Sequence, residues 1–223
     1  IANVYANLDG MIKAIKFYKN TFLNCKISAG VIANEQPIQL LIEAGADFIS
    51  TGVGTGAACK TRSEVGVGVP QLSTLLKCSP IIHEMGAKVI ADGGCKTSGD
   101  IAKAIGAGAD IVIISGMISH CKECDNIIEI DGKKYVNVWG LGSNKQYSIT
   151  SPTEHEYRPN EGRDLLVPVS DSIVNVINQI KGGLRSACTY VGAKNLQELH
   201  INTKFIKVNT TINRSLSNYE RND

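Results

Sequence analysis

The segment KISAGVIANEQPIQLLIEAGADFISTGVG (26–54) decides the fold class, because KVIADGGCKTSGDIAKAIGAGADIVIISGM (88–117) repeats its pattern. Each segment reads as a short apolar run, a turn of small residues, a helical stretch, Ala-Gly-Ala-Asp, a second apolar run and a glycine-rich end. The two Ala-Gly-Ala-Asp copies, at 44–47 and 107–110, lie 63 residues apart. A repeated strand-helix-strand unit of this kind predicts an α/β fold with a parallel sheet.

The strands of that sheet are predicted from short apolar runs, which suit strands buried on both faces. They are expected at 26–29, 48–51, 88–91 and 111–114. Helices are predicted between them, after a first helix at 11–23, and two more are expected at 171–181 and near 183–199.

The ends of the repeated helices are predicted from capping residues. Asn34 and Ser98 are the expected N-caps, and Gly45 and Gly108 would supply the left-handed residue that ends each helix. The apolar faces of the two helices are predicted to consist of Leu40, Leu41 and Ala44, and of Ile101, Ala104 and Ile105.

The number of repeats predicts how much of a fold is present. Units of this size would have to occur roughly four times to close a (β/α)8 TIM barrel of about 250 residues, and two are visible. The chain is therefore predicted to be the C-terminal part of such a barrel, about strands 5–8, with a flap and C-terminal helices. An open doubly wound sheet is the alternative. The barrel is favoured because every strand ends in a glycine-rich loop, from which barrel active sites are built.

The domain organisation expected from this pattern is one incomplete barrel domain over 1–223, with an active-site flap at about 118–168 and a flexible tail at about 209–223. The flap should contain a hairpin over 127–135, turning at Asp131-Gly132. Pro80 falls inside a helical stretch and is expected to kink or break it.

The composition excludes several classes of protein. A net charge of +2, with no run of Lys and Arg, argues against a dedicated nucleic-acid or membrane-surface binder. No apolar stretch approaches the ~20 residues of a membrane span. Seven scattered Cys in a chain rich in apolar residues favour reduced thiols and a cytoplasmic location. The first residue is Ile1 rather than Met, so either processing has removed a segment or the sequence is a fragment.

The loop after the second predicted strand is the first candidate site. Gly52-Val53-Gly54-Thr55-Gly56-Ala57-Ala58-Cys59-Lys60-Thr61-Arg62 joins three glycines to a cysteine. Such a loop turns sharply and presents backbone groups to a ligand. Cys59 would be a nucleophile there, its thiolate stabilised by aligned N–H groups and by Arg62 or Lys60. A glycine-rich turn with a small buried cysteine is an equally weighted interpretation.

Glycine-rich ends also follow the next two strands. Asp92-Gly93-Gly94-Cys95 and Ser115-Gly116 are placed where barrels commonly bind phosphate, and Asp92 could accept hydrogen bonds from the ribose hydroxyls. The flap segment 156–163 carries an acid and arginines, as a mobile lid does, although such a loop is more often a solvated surface. His120, Cys121 and Cys124 form a weak zinc pattern, since structural zinc needs four ligands.

Three longer motifs carry a family resemblance. Glu156-Tyr157-Arg158, then Glu161-Gly162-Arg163, and the segment GGLRSACTYVGA (182–193) resemble the IMP dehydrogenase/GMP reductase superfamily, and within it the GMP reductases. The resemblance extends from about Ala2 to Val208. It implies an eight-stranded β/α barrel, a purine nucleotide salvage enzyme that converts GMP to IMP and ammonia with NADPH, a homotetramer, and no nucleic-acid or membrane partner.

The resemblance also implies the site residues. Cys59 would form a thioimidate with the purine, and Thr61 and Glu161 would relay the proton to the departing amine. Residues implied to bind GMP are Asp92, Gly93, Gly94, Ser115, Gly116, Gly140, Leu141, Gly142, Arg158, Asn160 and Gly162. Residues implied to bind NADPH are Ile1, Ala2, Val53, Gly54, Leu141, Tyr157, Arg158, Ser186, Ala187, Cys188 and Thr189. Carbonyls of Gly54, Gly56 and Cys59 would bind a K+ ion.

Several positions depart from the family pattern. Thr55 and Ala57 replace a usual Pro and Ser, Lys60 replaces a Thr, and Leu141 replaces a Met. Ala57 cannot give the phosphate a hydroxyl, and losing one hydrogen bond to a charged group costs about 1.5–3 kcal/mol. Two alternatives therefore stay open beside an active reductase. One is an enzyme resembling IMP dehydrogenases, and the other is a non-catalytic paralogue that binds nucleotide or assembles with a full-length subunit.

Overall fold

A parallel sheet of four strands forms the centre of the molecule. The computed structural model describes residues 8–150 and 159–208. The strands are β1 (Ser28–Ile32), β2 (Phe48–Thr51), β3 (Lys88–Asp92) and β4 (Ile111–Ile113), and they pair in that order. Each strand lies beside the next one in the chain, with helices between, which is the strand order of a barrel wall rather than of a doubly wound sheet. The predicted partial barrel is confirmed.

Helices cover the sheet and continue beyond it. They are α1 (Leu8–Thr21), α2 (Ile38–Glu43), α3 (Thr61–Glu64), α4 (Gln71–Glu84), α5 (Ser98–Gly106), α6 (Ser115–Ile118), α7 (Asn144–Thr150), α8 (Ile173–Tyr190) and α9 (Leu196–Asn202). The main core lies between the sheet and the first helices. Its fully buried side chains include Ile15 of α1, Leu41 of α2, Ile49 of β2, Leu75 of α4 and Val89 of β3. A smaller core joins α5, α8 and α9.

The two Ala-Gly-Ala-Asp copies make the same local structure. Gly45 and Gly108 have φ of +112° and +100°, in the left-handed region that ends a helix. The carboxylate that follows then turns back to the start of the preceding strand. Asp47 accepts hydrogen bonds from the Ile27 N–H and Lys26 Nζ, and Asp110 accepts them from the Val89 N–H and Lys88 Nζ. The motif therefore ends a helix and ties two neighbouring strands together.

The predictions at the other helix ends need correction. Thr97, not Ser98, caps α5, because its hydroxyl accepts from the Asp100 N–H while Asp100 bonds the Thr97 N–H. Asn34 accepts from the Gln36 N–H in a turn, and Pro37 precedes α2. Leu40 is 46% exposed, and Ile38 takes the buried position on α2 in its place.

No break occurs at two places where the sequence suggested that a helix could be interrupted. Pro80 lies inside α4, which runs on to Glu84. Its ring is exposed, and it sits in the second half of the helix, so one backbone hydrogen bond is lost without a break. The Gly182-Gly183 pair does not separate two helices either. α8 runs through it to Tyr190, and the break comes at 191–195.

A second, antiparallel sheet follows the parallel one. It contains β5 (Ile127–Ile130), β6 (Lys133–Trp139) and β7 (Asp164–Pro168), in that order. The predicted hairpin turn is confirmed, with positive φ at Asp131 and Gly132. β7 was not predicted. Across the described residues, no helix is both long and apolar enough to cross a membrane. The predicted tail at 209–223 lies outside the described residues.

Candidate active site

Cys59 lies in the loop between β2 and α3, at the carboxyl end of the parallel strands. The loops that follow β3 and β4 lie at the same end. The thiol is half-buried, and its Sγ donates to Thr61 Oγ1 over 3.1 Å. The Cys59 N–H donates to the Gly56 carbonyl, which closes a tight turn just before the cysteine. A hydroxyl in contact with the sulfur can pass a proton to or from a group that the sulfur attacks.

The two cations expected beside the thiol bond elsewhere. Arg62 donates to the Val69 carbonyl over 2.6 Å. Its side chain runs between Gly54 and Gly68, where an added Cβ would come within 2.8 Å and 2.6 Å of the Arg62 Cγ. Lys60 pairs with Glu64 at 2.7 Å. Arg62 and Lys60 therefore do not pair directly with the thiol in this structure. Arg62 instead holds the loop that carries Cys59 (the cysteine loop, residues 52–60) to the chain at 67–69.

Part of the predicted flap packs against the cysteine loop through the backbone. The Lys60 N–H donates to the Glu161 carbonyl, the Arg163 N–H donates to the Ala58 carbonyl, and Cys59 and Gly162 form an antiparallel bridge. Gly162 fits because it has no side chain, since an added Cβ would collide with the backbone of Ser143. The structure thus brings together Cys59, Thr61 and Glu161.

The geometry of the proposed proton relay is incomplete. Glu161 is half-buried beside Gly142, where an added Cβ would lie 3.2 Å from the Glu161 Cβ. Within the described residues (8–150 and 159–208), no hydrogen bond joins the Glu161 carboxylate to the Thr61 hydroxyl. Asn160 accepts from the Gly162 N–H through its side chain. Catalytic hydrogen bonds often form only when substrate is bound, so this geometry does not remove Glu161 as a candidate.

A pocket lies where the three glycine-rich strand ends meet. It is lined by Thr55, Gly56, Ala57, Gly93, Gly94, Cys95, Lys96, Ile113, Ser115 and Gly116. Four of these, Gly93, Gly94, Ser115 and Gly116, were predicted to bind the ribose phosphate. Thr55 and Lys96 were not assigned a role, although each stands within a glycine-rich segment after a strand. Lys96 is the cation that this pocket offers to an anion.

Asp92 precedes this pocket at the end of β3. Burial raises the pKa of its carboxyl group. Within the part of the chain that the structure describes, the carboxylate has no hydrogen-bonding or charged partner. An ionised carboxylate only accepts hydrogen bonds, so Asp92 is suited to a pair of hydroxyl donors.

The remaining predicted site residues differ in their exposure and in their place in the fold. Leu141 is 85% exposed between Gly140 and Gly142, whereas the Val53 side chain is buried and could meet a ligand only through its backbone. Ser186, Ala187, Cys188 and Thr189 form the last turns of α8, where Thr189 donates to the Arg185 carbonyl. Ile1, Ala2, Tyr157 and Arg158 lie outside the described residues. No group of three or more side chains that could bind a metal occurs in the described ranges. The weak zinc pattern at His120–Cys124 therefore forms no such group.

Comparison with known proteins gives a consistent result. Residues 3–215 match the family model described as the IMP dehydrogenase / GMP reductase domain. The chain is 40% identical over 209 residues to a GMP reductase of Shewanella pealeana, covering 93% of this chain and 60% of the relative. It is 40% identical over 219 residues to GMP reductase 2 of Mus musculus, covering 98% and 62%. A GMP reductase of Trypanosoma brucei, solved in complex with guanosine 5′-monophosphate, superposes with a TM-score of 0.84 at 33% identity.

These matches cover nearly all of this chain but only part of each relative. The structural match covers 100% of this chain and 47% of the Trypanosoma brucei chain. This chain spans about 60% of the length of the curated relatives that it matches.

Proposed function

Because this chain belongs to the IMP dehydrogenase / GMP reductase family, we propose that it carries the catalytic half of an NADPH-dependent GMP reductase. The observation that carries the proposal is the contact of Cys59 Sγ with Thr61 Oγ1, in a loop that pairs with Glu161 and Gly162. A nucleophile and a hydroxyl that touches it are what the first step requires, and the Glu161 backbone bonds to Lys60 beside them. The two curated relatives described above are named GMP reductases.

The reaction proceeds through a covalent intermediate on Cys59. The thiolate adds to C2 of the guanine ring, the exocyclic C2–N2 bond breaks, and the amine leaves as ammonia, which gives a thioimidate. Thr61 and Glu161 supply the proton that the departing nitrogen needs. A hydride then reaches C2, the C2–S bond breaks, and IMP is released with the thiolate restored. Dividing one difficult substitution into two steps is what a covalent nucleophile contributes.

The nucleotide is held by the strand ends around Cys59. Asp92 accepts hydrogen bonds from the ribose hydroxyls, and Gly93, Gly94, Ser115 and Gly116 line the phosphate site, where Lys96 adds a positive charge. Gly140, Leu141 and Gly142 cover the nucleotide, together with Arg158, Asn160 and Gly162. The purine then stands over the Cys59 loop.

NADPH supplies the hydride when it is bound. The residues proposed to hold it are Val53 and Gly54 through their backbone, Leu141, Tyr157, Arg158 and the α8 segment 186–189, with Ile1 and Ala2. The exposed Ser186 hydroxyl on α8 suits a polar ligand. A K+ ion would bind the carbonyls of Gly54, Gly56 and Cys59. The Gly56 carbonyl already accepts one hydrogen bond and retains a second lone pair. A cytoplasmic homotetramer is part of the same proposal.

The proposal is tested by NADPH oxidation with GMP, scored together with ammonia release. The chain is compared with its Cys59→Ser variant, and Cys25→Ser serves as the matched control because Cys25 is exposed on the loop after α1. GMP-dependent oxidation that is lost with Cys59→Ser and kept with Cys25→Ser is the expected result. Oxidation that survives in Cys59→Ser would contradict the role of the thiol.

One observation favours a second candidate function. Ala57 lines the phosphate pocket, with its methyl group 3.6 Å from the position of a Gly116 Cβ, and offers no hydroxyl. A paralogue that binds nucleotide without turning it over would bind GMP in calorimetry but release no ammonia. In that case Ala57→Ser, which supplies the hydroxyl, is the variant that should restore turnover.

A further inference from the structure

Thr55 bridges the cysteine loop and the loop that follows β3. Its Oγ1 lies 2.7 Å from the Asp92 carbonyl and 3.1 Å from the Gly52 carbonyl. One of these oxygens belongs to the first residue of the cysteine loop, and the other belongs to the last residue of β3. The hydroxyl therefore joins the ends of two neighbouring parallel strands.

The surrounding backbone is fitted to this bridge. An added Cβ on Gly52 would lie 2.1 Å from the Asp92 carbonyl, and one on Gly93 would lie 2.8 Å from Thr55 Oγ1. Both glycines have positive φ, at +129° and +75°. The two loops thus approach as closely as backbone permits, and the Thr55 hydroxyl fills the gap between them.

We propose that Thr55 is a positioning residue that sets the orientation of the Asp92-Gly93 peptide for nucleotide binding. A hydrogen bond to the Asp92 carbonyl fixes the plane of that peptide. It thereby fixes the direction of the Gly93 N–H and the direction in which the Asp92 side chain leaves the backbone. Thr55 also lines the pocket, but its hydroxyl hydrogen is directed at the two carbonyls, so its effect on the nucleotide passes through these groups. The inference rests on the proposed function, because it assumes that Asp92 and Gly93 bind the ribose phosphate.

The position of Cys59 depends on different contacts. The cysteine is held by the turn to Gly56, by the bridge to Gly162 and by the bond between Lys60 and Glu161. Loss of the Thr55 hydroxyl should therefore weaken nucleotide binding and leave the chemical step nearly unchanged. If Thr55 had only a structural role, loss of its hydroxyl would lower stability and turnover together.

The test compares Thr55→Val, which keeps the shape and removes the hydroxyl, with Thr55→Ser, which keeps the hydroxyl. Thr55→Val should raise the Kd for GMP in calorimetry, and the KM for GMP, about three- to tenfold, as expected for one lost hydrogen bond. Its kcat should stay within about twofold of the original, and Thr55→Ser should bind GMP like the original chain. Thr21→Val is the matched control, since the Thr21 hydroxyl also donates to a carbonyl, that of Phe17 on α1.

The binding readout keeps the inference separate from the proposed function. A chain that binds GMP without turnover contradicts the reductase assignment, and the Kd of Thr55→Val still decides the role of Thr55. An unchanged Kd in Thr55→Val, or an equal loss of affinity in Thr55→Ser, would overturn the inference. A chain that binds no GMP would overturn both.

Discussion

The Asp47 carboxylate accepts hydrogen bonds from three groups, and these bonds set its pKa. Burial by itself would raise the pKa of this carboxyl group, but hydrogen bonds from Lys19, the Ile27 N–H and Lys26 outweigh that effect and lower the pKa to about 2. The ordinary value is 3.8. Because the folded-state pKa is the lower one, the ionised carboxylate stabilises the fold above about pH 4, and this contribution is lost as the pH falls through about 2.

Asp47→Asn keeps the shape of the side chain and removes its charge. We expect it to lower the free energy of unfolding at pH 7 by about 1–2 kcal/mol, and to flatten the dependence of stability on pH between about 4 and 2. Urea unfolding at a series of pH values, at fixed protein concentration, measures both effects. Asp125→Asn, at an exposed position, is the control and should change neither. A stability profile of Asp47→Asn parallel to that of the original chain would contradict the role assigned to the charge.

The places of single residues in the fold were predictable where the local pattern determined them. Cys59 and Asp92 could be found from the sequence because each follows a short apolar strand within a glycine-rich segment, and the carboxyl ends of parallel strands share one edge. The partners of Arg62 and Thr55 could not be found in this way. Arg62 bonds a backbone carbonyl, and Thr55 bonds a residue 37 positions away. Backbone acceptors carry no sequence signature, so these contacts become visible only in the folded chain.

Among the elements, α8 depends on one of its two adjacent glycines. An added Cβ on Gly183 would lie 2.5 Å from the Ser98 Cβ at the start of α5, whereas an added Cβ on Gly182 would meet nothing within 4 Å. Gly183→Ala should therefore push α8 from α5 and destabilise the chain by about 1–3 kcal/mol. Gly182→Ala should stabilise it by about 0.5–1 kcal/mol, because alanine favours the helix.

Thermal and urea unfolding of the two single variants tests this contrast. The double variant Gly183→Ala with Ser98→Gly removes the colliding Cβ and should recover part of the lost stability. If Gly182→Ala and Gly183→Ala stabilise the chain equally, the close packing of α8 on α5 is wrong.

Pro80 gives a second prediction at the level of an element. It leaves α4 without one backbone donor while its ring stays exposed, and the helix continues. Pro80→Ala restores that hydrogen bond and should raise the free energy of unfolding by about 1–3 kcal/mol. Ser73→Ala, at an exposed position in the first turn of α4, is the control for helix propensity and should contribute only a few tenths of a kcal/mol. A loss of stability in Pro80→Ala would contradict this account.

Strands and helix ends were predicted best where a single feature of the sequence determined them. The parallel strands and the Ala-Gly-Ala-Asp helix ends follow from apolar runs and from glycine. β7 (Asp164–Pro168) was missed because it lies in the polar segment predicted as a flap, has no fully buried residue, and becomes a strand only by pairing with β6 across an intervening segment. The sequence predicts one helix that ends at 181 and a second that begins near 183, and glycine has low helix propensity. Packing against Ser98 decides instead, and it favours glycine within the helix.

At the scale of the whole molecule, the parallel sheet has two open edges within the described residues. β1 and β4 each pair on one side only. On β4, the alternate side chains Ile111 and Ile113 are 44% and 38% exposed on one face. Unpaired strands with exposed apolar side chains are templates for association with another chain. We therefore predict that residues 1–223 do not form a stable monomer, and β4 gives this prediction a specific physical basis.

We expect the 223-residue chain to sediment as oligomers or aggregates whose size increases with concentration. Ile111→Lys places a charge on the open edge, as native edge strands often do, and should increase the monomeric fraction measured by analytical ultracentrifugation. Leu40→Lys is the matched control, because Leu40 is 46% exposed on α2 rather than on an edge strand, and should leave the distribution unchanged. A chain that sediments as a monomer at all concentrations would contradict the prediction. An equal effect of the two lysines would assign the association to surface hydrophobicity in general rather than to β4.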